Sequence, residues 1–381
     1  MKNRALIIIL MIIIALTFFS YGILVGNYSF FPFEQLKEFK ILVSIEDEIP
    51  KDQVLPLVDI ESIIEIENNN DVEIKKVSLR NYIWKNSEYG NSNISLDESV
   101  IDNRYSHLDN LKQIDKISTI MEYDVDSKSY LFLADKSNNK LIIYHQGHDG
   151  DFYLGINTIE FFLKNNYNVL AFSMPLHGMN DQPIVNIPRI GKIQLFLHQQ
   201  LQLLDNEKFS SIKFFLEPIY TSLNLIDKKY TFDEYIMLGI SGGGWTSTIY
   251  AAIDERVSKS FSVAGGLPIS LRNNFQDKGD YEQILPEMYR LVNYPEIYIL
   301  ASIGDNRKHV QIFNVYDTCC YAGEKHKMYN KIIKSKINEL GEGYFESYSD
   351  ITHKDHQISQ FALDVILEEI NYFNNNTSEY I

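Results

Sequence analysis

A pentapeptide, Gly239-Ile240-Ser241-Gly242-Gly243, places a serine among small residues at a spacing that covalent chemistry could use. It lies between an apolar run typical of a strand, Tyr235 to Leu238, and a run typical of a helix, Trp245 to Ile253. A strand-to-helix turn this sharp needs glycines around the serine, and it lifts the serine hydroxyl above the sheet. The pattern therefore predicts Ser241 as a nucleophile.

The elements that would position this serine follow from the hydrophobic pattern. From about Ser118 onward, apolar runs alternate with segments of helix length, which predicts βα units and a mostly parallel sheet. The predicted strands are Tyr130 to Ala134, Leu141 to Tyr144, Asn168 to Ser173, Tyr235 to Leu238, Ser258 to Val263, Gln311 to Tyr316 and Tyr344 to Tyr348. The predicted helices are Leu154 to Asn165, Lys213 to Asp227, Trp245 to Asp254, Lys327 to Glu339 and Ile358 to Phe373.

Two further segments have the form of turns after strands, Leu141 to His148 (LIIYHQGH) and Asn168 to Gly178 (NVLAFSMPLHG). With the serine turn, they make the chain from Ser118 to Phe373 resemble the α/β-hydrolase superfamily. The resemblance implies an α/β-hydrolase fold, in which helices flank a mostly parallel, twisted sheet. It also implies a catalytic triad in the chain order serine, acid, histidine. Two long intervals, near 180–210 and 265–295, would be cap insertions over the nucleophile.

The chemistry of such a triad assigns each member a role. A serine hydroxyl is a poor nucleophile at neutral pH, so an imidazole must accept its proton and a carboxylate must orient that imidazole. The resemblance implies His356, just before the last predicted helix, as the base, with His353 as the alternative. It implies Asp317, directly after a predicted strand, as the acid, with Asp305 as the alternative.

The negatively charged oxygen of a tetrahedral intermediate needs two hydrogen-bond donors aimed at it in advance. From the geometry of the serine turn, one donor is expected to be the backbone N–H of Gly242. The other is expected in the loop Gly147 to Asp149, where we favour His148 over Gly147.

Composition limits the partners. The chain has 381 residues, of which 45% are apolar and 13% aromatic, enough to bury a large core. Its formal net charge of -16 gives no electrostatic reason to approach nucleic acid, which requires clustered Lys and Arg. The two cysteines, Cys319 and Cys320, are adjacent and cannot join distant segments. They are expected to be small packed hydrophobic residues in a tight loop.

The N-terminal region predicts a membrane anchor. Ala5 to Gly26 is an apolar run of 22 residues, which as a helix would be about 33 Å long and would match a bilayer. Positive charge before it predicts a single-pass anchor over residues 1–27 with the body outside the cytoplasm; a cleaved signal peptide is the alternative. Residues 28–117 are predicted to form a juxtamembrane segment and an N-terminal extension with two β-rich stretches, Glu61 to Ile66 and Val72 to Leu79. Residues 118–381 are predicted to form the hydrolase domain.

The resulting prediction is a membrane-anchored serine hydrolase that cleaves a carboxylic ester, a small-molecule or glycan ester such as acyl groups on envelope carbohydrate. A peptidase or an acyltransferase would use the same triad, and a catalytically silent binding domain is an alternative of another class. A further alternative is a metal-dependent hydrolase whose metal would be bound by His145, His148, Asp149 and His177. Because their spacing matches no zinc motif, neither a metal nor a cofactor is predicted.

Overall fold

The computed structural model describes residues 58–85, 89–90, 92–274 and 276–376, with isolated positions between 11 and 22. The chain divides into two compact units, Met1–Lys51 and Asp52–Ile381, and the helices and strands below belong to the second. Most of the predicted anchor, Ala5 to Gly26, lies outside the described residues, so the anchor stays a prediction. Within the part of the chain that is described, no helix has the length and apolar character needed to cross a bilayer.

Eleven strands have defined bounds in the described residues. They are β1 (Asn93–Asp97), β2 (Leu111–Ile120), β3 (Asp126–Ala134), β4 (Lys140–His145), β5 (Asn168–Phe172), β6 (Ile184–Ile187), β7 (Gly191–Gln194), β8 (Glu234–Ile240), β9 (Val257–Val263), β10 (Lys308–Asn314) and β11 (Tyr344–Asp350).

The helices lie mainly between these strands. They are α1 (Asn69–Trp84), α2 (Ile156–Lys164), α3 (His198–Leu201), α4 (Lys213–Ile226), α5 (Gly242–Ile253), α6 (Pro286–Tyr289), α7 (Tyr294–Ser302), α8 (Lys327–Leu340) and α9 (Gln360–Asn376). Between Ser118 and Phe373 the predicted strands and helices are confirmed to within a few residues.

Nine of the strands form one sheet in the order β1-β2-β3-β5-β4-β8-β9-β10-β11. The first three pairings are antiparallel, and the six strands from β5 to β11 in this order run parallel. Because parallel strands share a direction, the carboxyl ends of β4, β8, β10 and β11 lie at the same edge of the sheet. The segments that follow these four strands contain the predicted site residues other than Asp305.

Both faces of the central strands are buried, which explains the nearly continuous apolar character of these strands. Alternate residues of one strand belong to different core clusters: Leu141 and Ile143 to one, Ile142 and Tyr144 to the other. The first cluster packs beneath α1, α4, α5, α7 and α8. The second packs beneath α2 and α9. The serine turn is thus supported from both sides.

The prediction of β-rich stretches before the sheet was wrong. Glu61–Ile63 is a short 3-10 helix, and Val72 to Leu79 lies within α1. The β-branched residues suggested strands, but the Asn68 side chain caps the helix by accepting hydrogen bonds from the N–H groups of Asn70 and Asp71. Val72, Lys76, Leu79 and Ile83 are buried at a helical spacing.

The region before Ser118 also contributes strands that sequence patterns did not predict. β1 pairs with β2, and β2 pairs with β3, so residues 93–120 are part of the main sheet. The boundary predicted near 118 falls inside β2. The first insertion forms the β6–β7 hairpin and α3, and the second forms 3-10 turns and α6.

Replacing Asn68 by alanine should lower the free energy of unfolding by about 1 kcal/mol, since the first turn of α1 loses its side-chain acceptor. The matched control is Asn69→Ala at the exposed first residue of the helix, which should change stability little. Urea unfolding of both variants tests the difference. Equal stability of the two variants would contradict the capping role of Asn68.

Candidate active site

Ser241 occupies the turn between β8 and α5 with the backbone angles φ 56° and ψ −126°. A left-handed φ is uncommon for a residue with a side chain, and such strained positions cluster at functional sites. The Ser241 N–H donates to the carbonyl of Val263, at the end of β9, over 2.9 Å. The neighbouring strand therefore holds the turn in place.

Glycines around Ser241 are required by close backbone packing. A Cβ atom added to Gly243 would lie 2.1 Å from the carbonyl oxygen of His145 and 2.6 Å from that of Gln146. A Cβ added to Gly147 would lie 2.8 Å from the Cβ of Ser241. The loop after β4 thus crosses directly against the serine turn, with no room for a side chain at either contact.

Asp317 and His356 form a hydrogen-bonded pair at the same edge of the sheet. His356 Nδ1 lies 2.7 Å from Asp317 Oδ2. The other carboxylate oxygen, Oδ1, accepts hydrogen bonds from the backbone N–H groups of Cys319 at 2.7 Å and Cys320 at 3.3 Å. Asn314 Nδ2 adds a contact of 3.3 Å to Oδ2. These donors fix the direction in which the carboxylate presents itself to the imidazole.

The arrangement also sets the tautomer of His356. Because a carboxylate can only accept, the proton lies on Nδ1 and Nε2 carries the free lone pair. Nε2 is buried and has no hydrogen-bond partner among the described residues, and no hydrogen bond joins it to Ser241 there. The structure therefore brings Asp317 and His356 into direct contact and places Ser241 at the end of a strand at the same edge.

The alternative residues are in different surroundings. His353 Nε2 lies 3.2 Å from Asp350, whose carboxylate also accepts from Thr352 and Ser359 in the turn that precedes α9. Asp305 is exposed and precedes β10, so it lies at the opposite edge of the sheet from Asp317. His353 is therefore engaged with a different acid, and Asp305 lies at a different edge. Of the predicted candidates, His356 and Asp317 are the pair beside the carboxyl end of β10.

The His148 side chain packs against the serine turn and is held by two acids. A Cβ added to Gly242 would lie 2.3 Å from Cε1 of the His148 ring. Nε2 of that ring lies 2.9 Å from Glu282 Oε1 and 3.0 Å from Asp280 Oδ2. Burial lowers the pKa of His148, but the hydrogen bonds to Asp280 and Glu282 outweigh it and raise the pKa to about 10. The backbone N–H of His148 as an oxyanion donor stays a prediction, as does that of Gly242.

His145, on the preceding strand, is a structural residue. Its Nδ1 lies 2.9 Å from the carbonyl oxygen of Gln146, and its ring stacks on Phe172. Burial lowers the pKa of His145 to about 4, so the ring is neutral near pH 7.

The cysteines differ from the sequence-based expectation. Cys319 and Cys320 are joined in a disulfide between neighbouring residues, and Cys319 is exposed rather than packed. Cys320 is partly buried and packs against the core, as expected.

Four further residues of this region were not identified from the sequence. Asn314 contacts Asp317 and donates to the carbonyl of Gln357, while His198, Asp280 and Glu282 surround His148. The two insertions were recognisable by their length. Which of their side chains meet at the site depends on tertiary contacts that carry no local signal.

Comparisons with known proteins agree with this architecture. No family model matches the chain, and no curated protein matches it. Among solved structures, it is similar to an acetyl xylan esterase from a Paenibacillus species, with 15% identity, a TM-score of 0.53 and coverage of 83% of this chain and 99% of the other. Acetyl xylan esterase 1 from a Thermoanaerobacterium species is similar with 14% identity and a TM-score of 0.50, and the match covers 79% of this chain and 92% of the other. A glucuronoyl esterase from Solibacter usitatus is similar with 9% identity and a TM-score of 0.50, and the match covers 78% of this chain and 90% of the other. The chain therefore has the α/β-hydrolase fold.

Alanine substitutions of the turn glycines should distinguish the energetic cost of a clash with backbone atoms from that of a clash with side-chain atoms. Gly243→Ala forces a methyl group against two backbone carbonyls and should lower the free energy of unfolding by about 1–3 kcal/mol. Gly242→Ala meets only side-chain atoms, those of the His148 ring and the end of the Met174 side chain, so its cost should be smaller. Urea unfolding of both variants measures the two losses in the free energy of unfolding. A larger loss for Gly242→Ala than for Gly243→Ala would contradict the prediction.

Proposed function

We propose that this protein is a serine hydrolase that cleaves carboxylic esters, with Ser241, His356 and Asp317 as its triad. The observation that carries the proposal is the His356–Asp317 hydrogen bond of 2.7 Å at the edge of the sheet where β8 delivers Ser241. The imidazole nitrogen that would serve as base is buried and free of other partners among the described residues. Catalytic hydrogen bonds are often long without substrate and tighten in the complex.

In the proposed reaction, Ser241 Oγ attacks the ester carbonyl while His356 Nε2 accepts its proton. Asp317 keeps the imidazole oriented and stabilises its charged form. Collapse of the tetrahedral intermediate breaks the bond to the alcohol, which leaves with the proton from His356. Water then attacks the acyl-serine with His356 again as base, and the acid and free Ser241 are released.

The proposed oxyanion hole lies where the loop after β4 meets the serine turn. Gly242 is the first residue of α5, and the N–H groups of a first helical turn have no partner within the helix. Gly147 of that loop lies against Ser241, and His148 is the next residue in the chain. Donors from these two segments would face the same oxygen from opposite sides, which is the arrangement that stabilises developing negative charge.

We propose esters on carbohydrate as the substrate class. The similar structures carry the names acetyl xylan esterase and glucuronoyl esterase. A net charge of -16 favours neutral or small esters over polyanionic ones. Peptidase and acyltransferase chemistry would use the same three residues, so activity assays are needed to identify the acyl donor and the acyl acceptor.

We also propose that the apolar run from Ala5 to Gly26 anchors the enzyme in a membrane with its catalytic unit outside the cytoplasm. The support is the length of the run and the positive charge of Lys2 and Arg4 before it. An ester on envelope carbohydrate would then lie on the same side of the membrane as the active site.

Ser241→Ala should lower kcat for p-nitrophenyl acetate by a factor of about 10⁴ or more and abolish labelling by a fluorophosphonate. Asp317→Asn should lower kcat about 10⁴-fold, because the amide stabilises the wrong tautomer of His356. Asp305→Asn, at the opposite edge of the sheet, is the matched control and should leave kcat unchanged. Circular dichroism of each variant verifies folding.

Undiminished turnover by Ser241→Ala would remove the proposal. If a chelator then stopped that turnover, a metal-dependent hydrolase would take its place. No turnover of any ester and no labelling of the folded chain would favour the silent binding domain. Acetylated xylooligosaccharides, peptides and acyl acceptors, assayed in parallel, distinguish esterase, peptidase and acyltransferase.

The anchor has its own test. The 381-residue chain should sediment with membranes after an alkaline carbonate wash, because an apolar helix is retained by the bilayer. Replacing Ile12 and Ile13 with lysine should release the protein, since each charge costs about 2.5–3.5 kcal/mol at a helix centre. Replacing the same two residues with leucine is the matched control. Release of the unaltered chain, or a mature N-terminus found beyond Gly26, would contradict an uncleaved anchor.

A further inference from the structure

Four side chains of types that can bind a metal ion meet around His148 from three segments that are distant in sequence. His148 comes from the loop after β4, His198 from the first insertion, and Asp280 and Glu282 from the second. One nitrogen or oxygen atom from each lies within 4.8 Å of those of the other three. His198 and Glu282 are fully buried, with side chains exposed by 2% and 0%.

Two buried atoms in this cluster lack the partner that their chemistry requires. His198 Nε2 lies 2.8 Å from the carbonyl oxygen of Pro175, which can only accept, so the proton of the neutral ring is on Nε2. The lone pair on Nδ1 then faces Glu282 Oε1 at 3.7 Å. Nδ1 and the other Glu282 oxygen, Oε2, are both buried without a hydrogen-bond partner among the described residues. A buried imidazole lone pair and a buried carboxylate oxygen that both lack a donor are groups that a bound cation would satisfy.

The distances fit one small metal ion. Zn²⁺ binds imidazole nitrogen and carboxylate oxygen at about 2.0–2.2 Å, so neighbouring ligand atoms of a tetrahedral site lie about 3.3–3.5 Å apart. The corresponding distances here are 2.9 Å from His148 to Glu282, 3.0 Å from His148 to Asp280, and 3.7 Å from His198 to Glu282. These three distances lie within about 0.2–0.6 Å of the tetrahedral spacing, and the other three pairs of ligand atoms lie within 4.8 Å of each other.

The outer contacts also resemble those of a metal centre. Imidazole ligands commonly donate their second N–H to a backbone carbonyl, as His198 does to Pro175, and ligating carboxylates are themselves hydrogen-bonded. Asp280 Oδ1 accepts from Gln199 Nε2 at 2.7 Å, which directs Oδ2 toward His148. Two carboxylates would neutralise the charge of a divalent ion.

We propose that His148, His198, Asp280 and Glu282 form a closed zinc site that fastens both insertions to the loop after β4. Four protein ligands leave no open position for water, which is the arrangement of a structural rather than a catalytic zinc. Because the His148 ring packs on Gly242, the ion would hold the cap at a fixed position over the serine turn. This proposal is independent of the ester chemistry.

The test uses the 381-residue chain in detergent, stripped with a chelator and titrated with Zn²⁺ or Co²⁺. Bound zinc, measured by mass spectrometry, should reach one ion per chain, and Tm should rise on zinc binding. The Co²⁺ form should have the visible absorption of a tetrahedral centre. His198→Ala and the nearly isosteric Glu282→Gln should each weaken zinc binding at least about 100-fold, more than loss of an outer-shell contact does.

The controls separate this site from general damage and from the triad. His107→Ala removes an exposed histidine outside the cluster and should leave stoichiometry and Tm shift unchanged. Ser241→Ala should bind zinc normally, so failure of the esterase proposal would not affect the result. Less than half an equivalent of zinc in the unaltered chain would overturn the proposal. So would unchanged affinity in folded Glu282→Gln.

Discussion

The contact between the serine turn and the loop after β4 is the constraint on which the rest of the site depends. Main-chain atoms of Gly243 pack against the carbonyls of His145 and Gln146, and Gly147 lies against the Cβ of Ser241. Such contacts leave little freedom, because backbone atoms cannot rotate away as side chains do. The strained backbone of Ser241 is maintained by this packing and by its hydrogen bond to the end of β9. The position of the proposed nucleophile relative to the proposed oxyanion donors is therefore a property of the fold.

A second consequence follows from the strand order. β8, β9, β10 and β11 are parallel neighbours, so a serine after the first and an acid and a histidine after the last two arrive at one edge. The short loop after β10 folds its own N–H groups onto the Asp317 carboxylate. That carboxylate is buried, and burial without donors would be costly. Its hydrogen bonds thus serve stability and the orientation of His356 together.

How far sequence reasoning could reach depends on where each signal originates. The strands and helices after Ser118 were predictable because apolar runs buried on both faces of a parallel sheet are local patterns. The pairing of Asp317 with His356 was predictable because family-like turns fix which strand ends carry which residues. α1 was missed because a capping asparagine in Asn68-Asn69-Asn70 looks like a loop. β1 and β2 were missed since their antiparallel pairing depends on β3, a partner that local patterns cannot supply.

The insertions raise a different physical question, since they bury a carboxylate beside the serine turn. Glu282 has no exposure to solvent, and an isolated buried charge would cost several kcal/mol. The compensating group, His148, comes from the loop after β4, so the Glu282 carboxylate is stabilised only when that loop and the second insertion are assembled. The His148 ring at the same time packs on Gly242. Folding of the second insertion and placement of the loop after β4 are therefore coupled through one side chain.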